Sequence, residues 1–361
     1  MSEQKKQVQS ETTGKPEGLS FFEKYLVLWI AICIVAGILL SQFVPGLAEA
    51  IDNVVIPGTT TSIPIGICLF LMMYPAVMNL KKEELIKLKK KPLPIFITLF
   101  MNWVFVPILG TLLAGWLLAG EPQLIVAVIL LHSSPCTAMV LVWGYLAGGN
   151  QEQNVVNTSI NTVSIIFLYA PVVGLMLSFQ NFVFSTAITV DWVGLLITAA
   201  VFIGIPIVAG YFTRKTVIER KGETWFNDVF KNALGKVAIV ALLMTLVILF
   251  ALNGHTLIAN PVLLWKVSVP LLLSFAIVVT INLLITKLAK FKYREAIIVT
   301  LIGSSSHFEI AIATAITLYG VGSIAALGTT MGLFWEVPVM LSLVYLGKWL
   351  GKKRFWPPNE G

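Results

Sequence analysis

The sequence predicts an all-α integral membrane protein with ten transmembrane helices. They are arranged as two inverted five-helix repeats, with broken helices 4 and 9 crossing near the midplane. Three observations lead to this prediction: the composition, the positions of the basic residues and two interrupted apolar segments. Of the 361 residues, 57% are hydrophobic and only 12% are charged, whereas soluble domains carry about 25% charged residues. The composition therefore indicates a chain that resides in a lipid bilayer.

Ten apolar segments are long enough to form spanning helices, since one span needs about 20 mostly apolar residues. Their predicted bounds are 26–44, 54–80, 93–119, 123–147, 155–178, 193–213, 234–252, 262–286, 295–319 and 322–347. The longest connection, residues 214–232, is too short for a catalytic or nucleotide-binding domain, and the chain contains no P-loop motif. The sequence thus excludes an ATP-driven pump within this chain.

The 25 Lys and Arg residues form five clusters and one isolated position. Short cytoplasmic loops of membrane proteins are enriched in these residues. If the N-terminus is cytoplasmic and ten helices follow, every cluster lies on the cytoplasmic side and only Lys266 lies opposite. The clusters occupy residues 5–24, 81–91, 214–236, 287–294 and 348–354. The basic residues therefore predict a multi-pass plasma-membrane protein with both termini cytoplasmic, and they do not indicate nucleic-acid binding.

The ten helices divide into two halves of five. The predicted organisation is a disordered cytoplasmic tail at 1–22, a first repeat at 23–179, a second repeat at 180–347 and a cytoplasmic tail at 348–361. An odd number of helices per repeat gives equivalent helices opposite orientations, as in an inverted repeat. Ser133-Ser134-Pro135-Cys136 in the fourth segment matches Ser304-Ser305-Ser306-His307 in the ninth, with an offset of 171 residues.

These two matching motifs place polar side chains inside segments that are otherwise apolar. In hydrocarbon, every freed backbone group and polar side chain needs a partner or a cavity. Interrupted helices near the midplane offer half-helix ends and unwound carbonyl groups that can hold a substrate or an ion. The motifs therefore predict a transport path driven by an ion gradient or by the gradient of the substrate itself.

Two glutamates lie deep within predicted helices, where an ionised side chain costs about 2.5–3.5 kcal/mol on insertion scales. A buried carboxyl group can take up a proton from one aqueous phase and release it to the other. Glu309 is therefore the leading candidate for proton coupling, and Glu336 is a second one. Two structural alternatives stay open: Glu309 can hold the Ser-rich break together, and Glu336 can bond carbonyl groups that Pro338 leaves unpaired.

His307 precedes Glu309 by two residues, a spacing that separates the two side chains in a regular helix. Only an unwound backbone brings them together, so His307 is predicted either as a relay partner or as a hydrogen-bonded wall residue. Asn161 is a further ion-coupling candidate. The histidines lack the ligand spacing of a closed zinc site, and the sequence predicts neither a resident metal nor a cofactor.

Cys136 is the candidate ligand for a soft, thiophilic substrate. A single thiol among hydroxyl groups allows weak and reversible capture, which transport requires. The alternative is a small residue that lets helices pack closely. The other candidate substrate-binding residues are polar groups in or beside the breaks: Ser133, Ser134, Thr137, Asn102 and Ser305.

Several motifs resemble the arsenical-resistance permease family, the arsenite efflux transporters of the bile acid/sodium symporter superfamily. They are Leu71-Met72-Met73-Tyr74-Pro75, Asn102-Trp103, Pro135-Cys136-Thr137-Ala138-Met139-Val140, Phe308-Glu309-Ile310-Ala311 and Glu336-Val337-Pro338-Val339-Met340-Leu341. The resemblance implies extrusion of trivalent arsenic in exchange for protons, with the essential cysteine of the family at Cys136 and its helix-9 glutamate at Glu309. The chain departs from the family at Thr162, where an Asp is usual, and at His307, where an Asn is usual. Both departures affect ion coupling.

The predicted function is therefore a secondary active transporter that exports arsenite, with antimonite as a second substrate, in exchange for protons. Such a protein confers arsenic resistance and is not an enzyme. The alternative is a sodium-coupled importer of a small organic anion, since the superfamily includes such importers and the Ser-rich breaks offer oxygen ligands. An intramembrane enzyme needs a nucleophile–base pair or a closed metal set, and a receptor needs an extramembrane domain. The sequence indicates neither.

Overall fold

The computed structural model describes residues 25–44, 63–78, 92–137 and 139–357, together with Gly46, Ala50, Asn53 and Val54. Within these residues all regular elements are helices, and the β-type contact is one isolated bridge. The predicted tail at 1–22 and the basic cluster at 81–91 lie outside the described residues. So do residues 55–62 and 79–80 of the second predicted segment.

The described helices follow one another along the chain with short connections. They are α1 (Leu26–Phe43), α2 (Ile63–Met78), α3 (Pro92–Leu117), α4 (Pro122–His132), α5 (Met139–Leu146), α6 (Gln151–Phe184), α7 (Trp192–Lys221), α8 (Glu223–Leu252), α9 (Gly254–Ala259), α10 (Val262–Leu288), α11 (Tyr293–Ile302), α12 (Phe308–Tyr319) and α13 (Ile324–Lys352). Six of them are long and apolar enough to cross a membrane: α3, α6, α7, α8, α10 and α13. Shorter apolar helices, α1, α2, α4 and α12, occupy the other four predicted segments. The chain is a multi-pass membrane protein.

Two predicted segments are each divided into two helices. The described residues between α4 and α5 are 133–137, and we call them the first break; residues 303–307 separate α11 from α12, and we call them the second break. In the first break, Pro135 lacks an N–H group and cannot continue the ladder of helical hydrogen bonds. The Ser134 hydroxyl also donates to the carbonyl oxygens of Leu130 (2.9 Å) and Leu131 (3.1 Å), which competes with helical bonding there. The interruptions predicted at these positions are present.

Two connections differ from the sequence prediction. We expected a loop at 180–192, but α6 continues to Phe184, past the predicted repeat boundary at 179. We also expected a loop at 214–232. There, α7 continues to Lys221 and α8 begins at Glu223, with Gly222 at a φ of 85° between them. A positive φ is readily adopted by glycine. These helices are longer than the apolar segments from which they were predicted, because polar and charged residues continue each helix beyond its apolar stretch.

The C-terminal end of the described chain folds back onto the helices. The Trp356 side chain is buried, and its Nε1–H donates to the Thr286 hydroxyl at 3.1 Å. Trp356 packs with Ile97, Met101 and Val278 in a second, smaller apolar cluster. Residues that follow α13 thus cover one end of α3 and one end of α10. These two helices also enclose the candidate site.

Candidate functional site

The two breaks are joined to each other through their main chains. The His307 N–H donates to the Ser134 carbonyl at 2.6 Å, and the Cys136 N–H donates to the Ser305 carbonyl at 3.4 Å. Between these bonds, Pro135 and Ser306 form an antiparallel bridge. The offset of 171 residues converts one hydrogen bond into the other, because Ser134 corresponds to Ser305 and Cys136 to His307. The contact is therefore symmetric in the same register as the two sequence motifs.

Most side chains of the first break are enclosed by protein. Cys136 is 3% exposed and forms no disulfide. The hydroxyl oxygens of Ser133 and Thr137 are buried and have no hydrogen-bond partner within the described part of the chain. An unsatisfied buried polar group costs about 1–3 kcal/mol. The first break thus holds a buried thiol beside two hydroxyl groups that lack a hydrogen-bond partner among the described residues.

The second break is bound to Glu336 of α13. The Ser305 and Ser306 hydroxyls donate to the two carboxylate oxygens of Glu336 at 2.5 and 2.6 Å, and the Ser306 N–H donates to Oε1 at 3.3 Å. Glu336 is 2% exposed. The carboxylate therefore bonds the Ser-rich break and not the carbonyl groups near Pro338, which was the structural alternative for this residue. Holding the Ser-rich break together was the structural alternative for Glu309, and Glu336 is the residue that forms these hydrogen bonds.

Glu309 instead faces His307. The His307 Nε2 and the Glu309 Oε2 are 3.5 Å apart. His307 has non-helical backbone angles (φ −105°, ψ 76°) and directly precedes α12, so the unwound backbone required for this contact is present. The His307 Nδ1 has no hydrogen-bond partner among the described residues. Glu309 lies in the first turn of α12, where the helix dipole favours a negative charge.

Two further candidates are asparagines on neighbouring helices. Asn102 lies in a π-helical turn of α3 (Met101–Phe105) and is 3% exposed; single π turns are frequent at functional sites. Asn161 is fully buried in α6, which contacts α4, α5 and α11. Within the described chain, neither the Asn102 Nδ2 nor either amide atom of Asn161 has a hydrogen-bond partner. Both amides thus resemble the unpaired hydroxyls of the first break.

A small cavity lies between α3 and α10, beside the two paired breaks, with about 30 Å³ of space for the centre of a water molecule. We call it the α3–α10 cavity. Among the predicted substrate-binding residues, Asn102, Ser134 and Ser305 line it. Cys136, Ser133 and Thr137 are not among the described residues that do so. The predicted substrate-binding residues therefore lie in or beside the paired breaks, but three of them line the cavity and three do not.

Sequence reasoning missed three residues of this region. Ser306 belongs to the Ser-rich motif, but we did not identify it as a partner of Glu336. Ser274 and Asn282 of α10 bond His132 and Ser304, respectively. Their spacing of eight residues places them on one face of α10, and that repeat of polar residues in an apolar helix was the available signal.

Comparison with known proteins agrees with the motifs. The profile of the Sodium Bile acid symporter family matches residues 66–260. A protein of Synechocystis sp., described as an uncharacterized transporter, is 39% identical, covering 95% of this chain and 91% of the relative. The Arsenical-resistance protein Acr3 of Alkaliphilus metalliredigens is 32% identical over 95% of this chain and 96% of its own length. Acr3 of Corynebacterium glutamicum is 31% identical over 97% and 95%, respectively.

The three relatives match nearly the whole chain, whereas the family profile ends at residue 260, before the second break. They confirm the resemblance predicted from the motifs. The chain therefore belongs to the Sodium Bile acid symporter family and, within it, is similar over almost its full length to proteins named for arsenical resistance.

Proposed function

We propose that this protein is a secondary active transporter that exports arsenite, and antimonite as a second substrate, in exchange for protons. Two relatives named for arsenical resistance support the substrate class. The observation that carries the proposal is the backbone pairing of the breaks, with Cys136 bonded to Ser305 and His307 bonded to Ser134. This pairing joins the segment that holds the thiol to the segment that holds Glu309.

Capture begins at the Cys136 thiol. The sulfur replaces one hydroxyl group of arsenous acid, so one As–S bond forms, one As–O bond breaks and the hydroxyl leaves as water with the thiol proton. The product keeps two hydroxyl groups, which the unpaired hydroxyls of Ser133 and Thr137 can hydrogen-bond. Hydrolysis reverses the step. A single thiol thus gives reversible capture, whereas several thiols would hold the metalloid tightly.

Proton exchange takes place at Glu309. Its contact with His307 gives the proton two alternative acceptors, the carboxylate Oε2 and the imidazole Nε2. Asn161, whose amide atoms have no hydrogen-bond partner among the described residues, is the additional ion-coupling group. Glu336 is bonded to the second break, so a change in its protonation would alter the hydrogen bonds of Ser305 and Ser306 and couple the ion to the shape of the break.

The movement follows from an inverted repeat of two five-helix units, 23–179 and 180–347, with residues 1–22 and 348–361 as cytoplasmic tails. The symmetric pairing of the breaks under one offset supports this arrangement. Alternating access exposes a fixed site first to one side and then to the other as one helix group moves against the second. The basic clusters support a cytoplasmic location of both termini.

Uptake of arsenite into everted membrane vesicles tests the proposal. Wild-type vesicles should accumulate arsenite when the interior is acidified, and an uncoupler should abolish the accumulation. Cys136→Ser and Glu309→Gln should each abolish it at wild-type expression. Cys33→Ser and Cys68→Ser are matched controls, because both thiols are buried in other helices, and they should transport normally. Full activity of Cys136→Ser would overturn thiol capture.

The second candidate function is sodium-coupled import of a small organic anion, which the match to the Sodium Bile acid symporter family favours. In right-side-out vesicles, an inward sodium gradient would then drive uptake of an organic anion such as taurocholate. The arsenite proposal expects no sodium-dependent uptake of this probe. Sodium-driven taurocholate uptake without arsenite transport would replace the first proposal by the second.

A further inference from the structure

The lining of the α3–α10 cavity is uncharged and combines apolar side chains with polar groups. It contains one imidazole, one carboxamide and several serines, and none of the described residues that line it carries a carboxylate, ammonium or guanidinium group. A divalent cation would require several oxygen ligands and usually a carboxylate. An anion would require a cationic partner. The lining therefore fits a neutral ligand.

The contacts of His132 define which groups of the cavity accept hydrogen bonds. Its Nδ1 lies 2.8 Å from the Val128 carbonyl and its Nε2 lies 2.7 Å from the Ser274 hydroxyl. A carbonyl only accepts, so Nδ1 carries the proton, and the Nε2 of a neutral ring accepts from Ser274. The hydroxyl hydrogen of Ser274 is then engaged, and its oxygen offers lone pairs to a ligand. The Ser134 hydroxyl is likewise engaged by helix carbonyls.

Two other groups are donors. The Ser304 hydroxyl oxygen accepts from the Asn282 Nδ2 at 3.2 Å, which leaves its hydrogen available. The Asn102 side chain is 3% exposed, and its Nδ2 lacks a hydrogen-bond partner within the described residues. Because Asn102 lines the cavity, its N–H groups are suited to a ligand there. The lining therefore contains two groups that can donate and two that can accept a hydrogen bond.

We propose that the α3–α10 cavity is a second binding site, which holds a small neutral molecule with several hydroxyl groups, of the type M(OH)₃. Each hydroxyl of such a molecule donates and accepts one hydrogen bond, which matches Asn102 and Ser304 as donors and Ser274 and Ser134 as acceptors. The identification of the ligand as uncomplexed arsenous acid rests on the proposed function. In that case the substrate has two stations, a covalent one at Cys136 and a hydrogen-bonded one in the cavity.

Isothermal titration of the purified full-length protein in detergent separates the two stations. The probes are arsenous acid and boric acid, since boric acid is also a neutral trihydroxide but has no affinity for thiols. Cys136→Ser should bind arsenous acid more weakly than wild type, and boric acid should compete with the remaining binding. Adding Asn102→Leu should weaken both probes by about tenfold or more, the effect of leaving buried hydrogen bonds unmade.

Two further variants make the result specific. Ser274→Ala leaves the amide intact but removes an acceptor, and it should weaken boric acid binding in the same way. Asn157→Leu is the matched control, because Asn157 is a buried amide that bonds Thr98 in place of lining the cavity. It should bind both probes like its parent, and size-exclusion profiles of all variants should coincide.

The outcomes distinguish this inference from the proposed function. Wild-type binding of arsenous acid that Cys136→Ser abolishes, with no boric acid binding, would overturn the second site and leave thiol capture standing. Boric acid binding that depends on Asn102, in a protein that does not bind arsenous acid, would support the second site and overturn the proposed substrate. Equal binding by Cys136→Ser with and without Asn102→Leu would show that the cavity holds solvent only.

Discussion

His307 donates its backbone N–H to the carbonyl of Ser134, and this bond fixes the start of α12 to the residue that follows the last turn of α4. The equivalent bond from Cys136 to Ser305 does the same for the other pair of half-helices. A shift of one break along its axis would therefore break these two hydrogen bonds unless the other break moved with it. The thiol and His307 belong to the paired breaks, and Glu309 lies in the helix that follows the second break. Residues of both breaks also line the α3–α10 cavity.

Gly110 of α3 allows the close approach of His132. A Cβ atom at position 110 would lie 2.3–2.7 Å from three carbon atoms of the His132 side chain. We expect Gly110→Ala to destabilise the protein by about 1–3 kcal/mol through overpacking, measured by thermal unfolding in detergent. Gly235→Ala is the control, because a Cβ there meets nothing within 4 Å, and this change should be neutral or slightly stabilising. Equal stability of the two variants would contradict the close packing.

Glu336 stabilises the second break. Glu336→Leu removes the acceptor for Ser305 and for two donors of Ser306, and we expect a loss of about 2–4 kcal/mol, since each unsatisfied buried group costs about 1–3 kcal/mol. Glu336→Gln keeps one oxygen acceptor and should lose less than half as much. Thermal unfolding of both variants measures the difference. A stable Glu336→Leu protein would show that the break holds its shape without the carboxylate.

Asn161 should be required for transport but not for stability. Neither of its amide atoms has a partner in the described chain, so Asn161→Leu should leave the unfolding temperature unchanged or raise the stability by about 1 kcal/mol. Arsenite uptake by everted vesicles should nevertheless fall at least tenfold. Asn154→Leu gives the opposite pattern, because the Asn154 Nδ2 donates to the carbonyls of Val140 and Leu141. A destabilised Asn161→Leu protein would assign Asn161 a structural role.

Tyr169 connects α6 to α12. Its hydroxyl donates to the Thr314 hydroxyl at 2.7 Å, and Thr314 in turn donates to the Ile310 carbonyl. Tyr169→Phe should cost about 1 kcal/mol, the net value of one such hydrogen bond. Tyr345→Phe is the comparison, because Tyr345 is 66% exposed and surface changes usually stay within about 0.5 kcal/mol. Thermal unfolding that ranks the two variants in the reverse order would rule out a stabilising Tyr169 bond.

The sequence predicted the positions of both breaks because proline, thiol and hydroxyl groups are costly in an apolar segment. The sequence also indicated when His307 can reach Glu309, because a two-residue spacing brings the two side chains together only where the backbone is unwound. The partners of Glu336 were not predictable. Ser305 and Ser306 lie on a different element, and the sequence does not show which turns of two elements face each other. The division of the substrate residues also escaped prediction, since neighbours such as Ser133 and Ser134 point to different surroundings once the helix is interrupted.

The hydrogen bonds that pair the two breaks join main-chain atoms. The side chains of the same residues are not part of these bonds. Carbonyl oxygens and N–H groups are the same at every position except proline, so Ser134, Cys136, Ser305 and His307 can be exchanged without loss of these bonds. Substitutions at Cys136 and His307 thus change what the paired breaks bind and keep their main-chain pairing. A single scaffold of this kind can therefore diversify over chemically unrelated solutes by side-chain replacement alone.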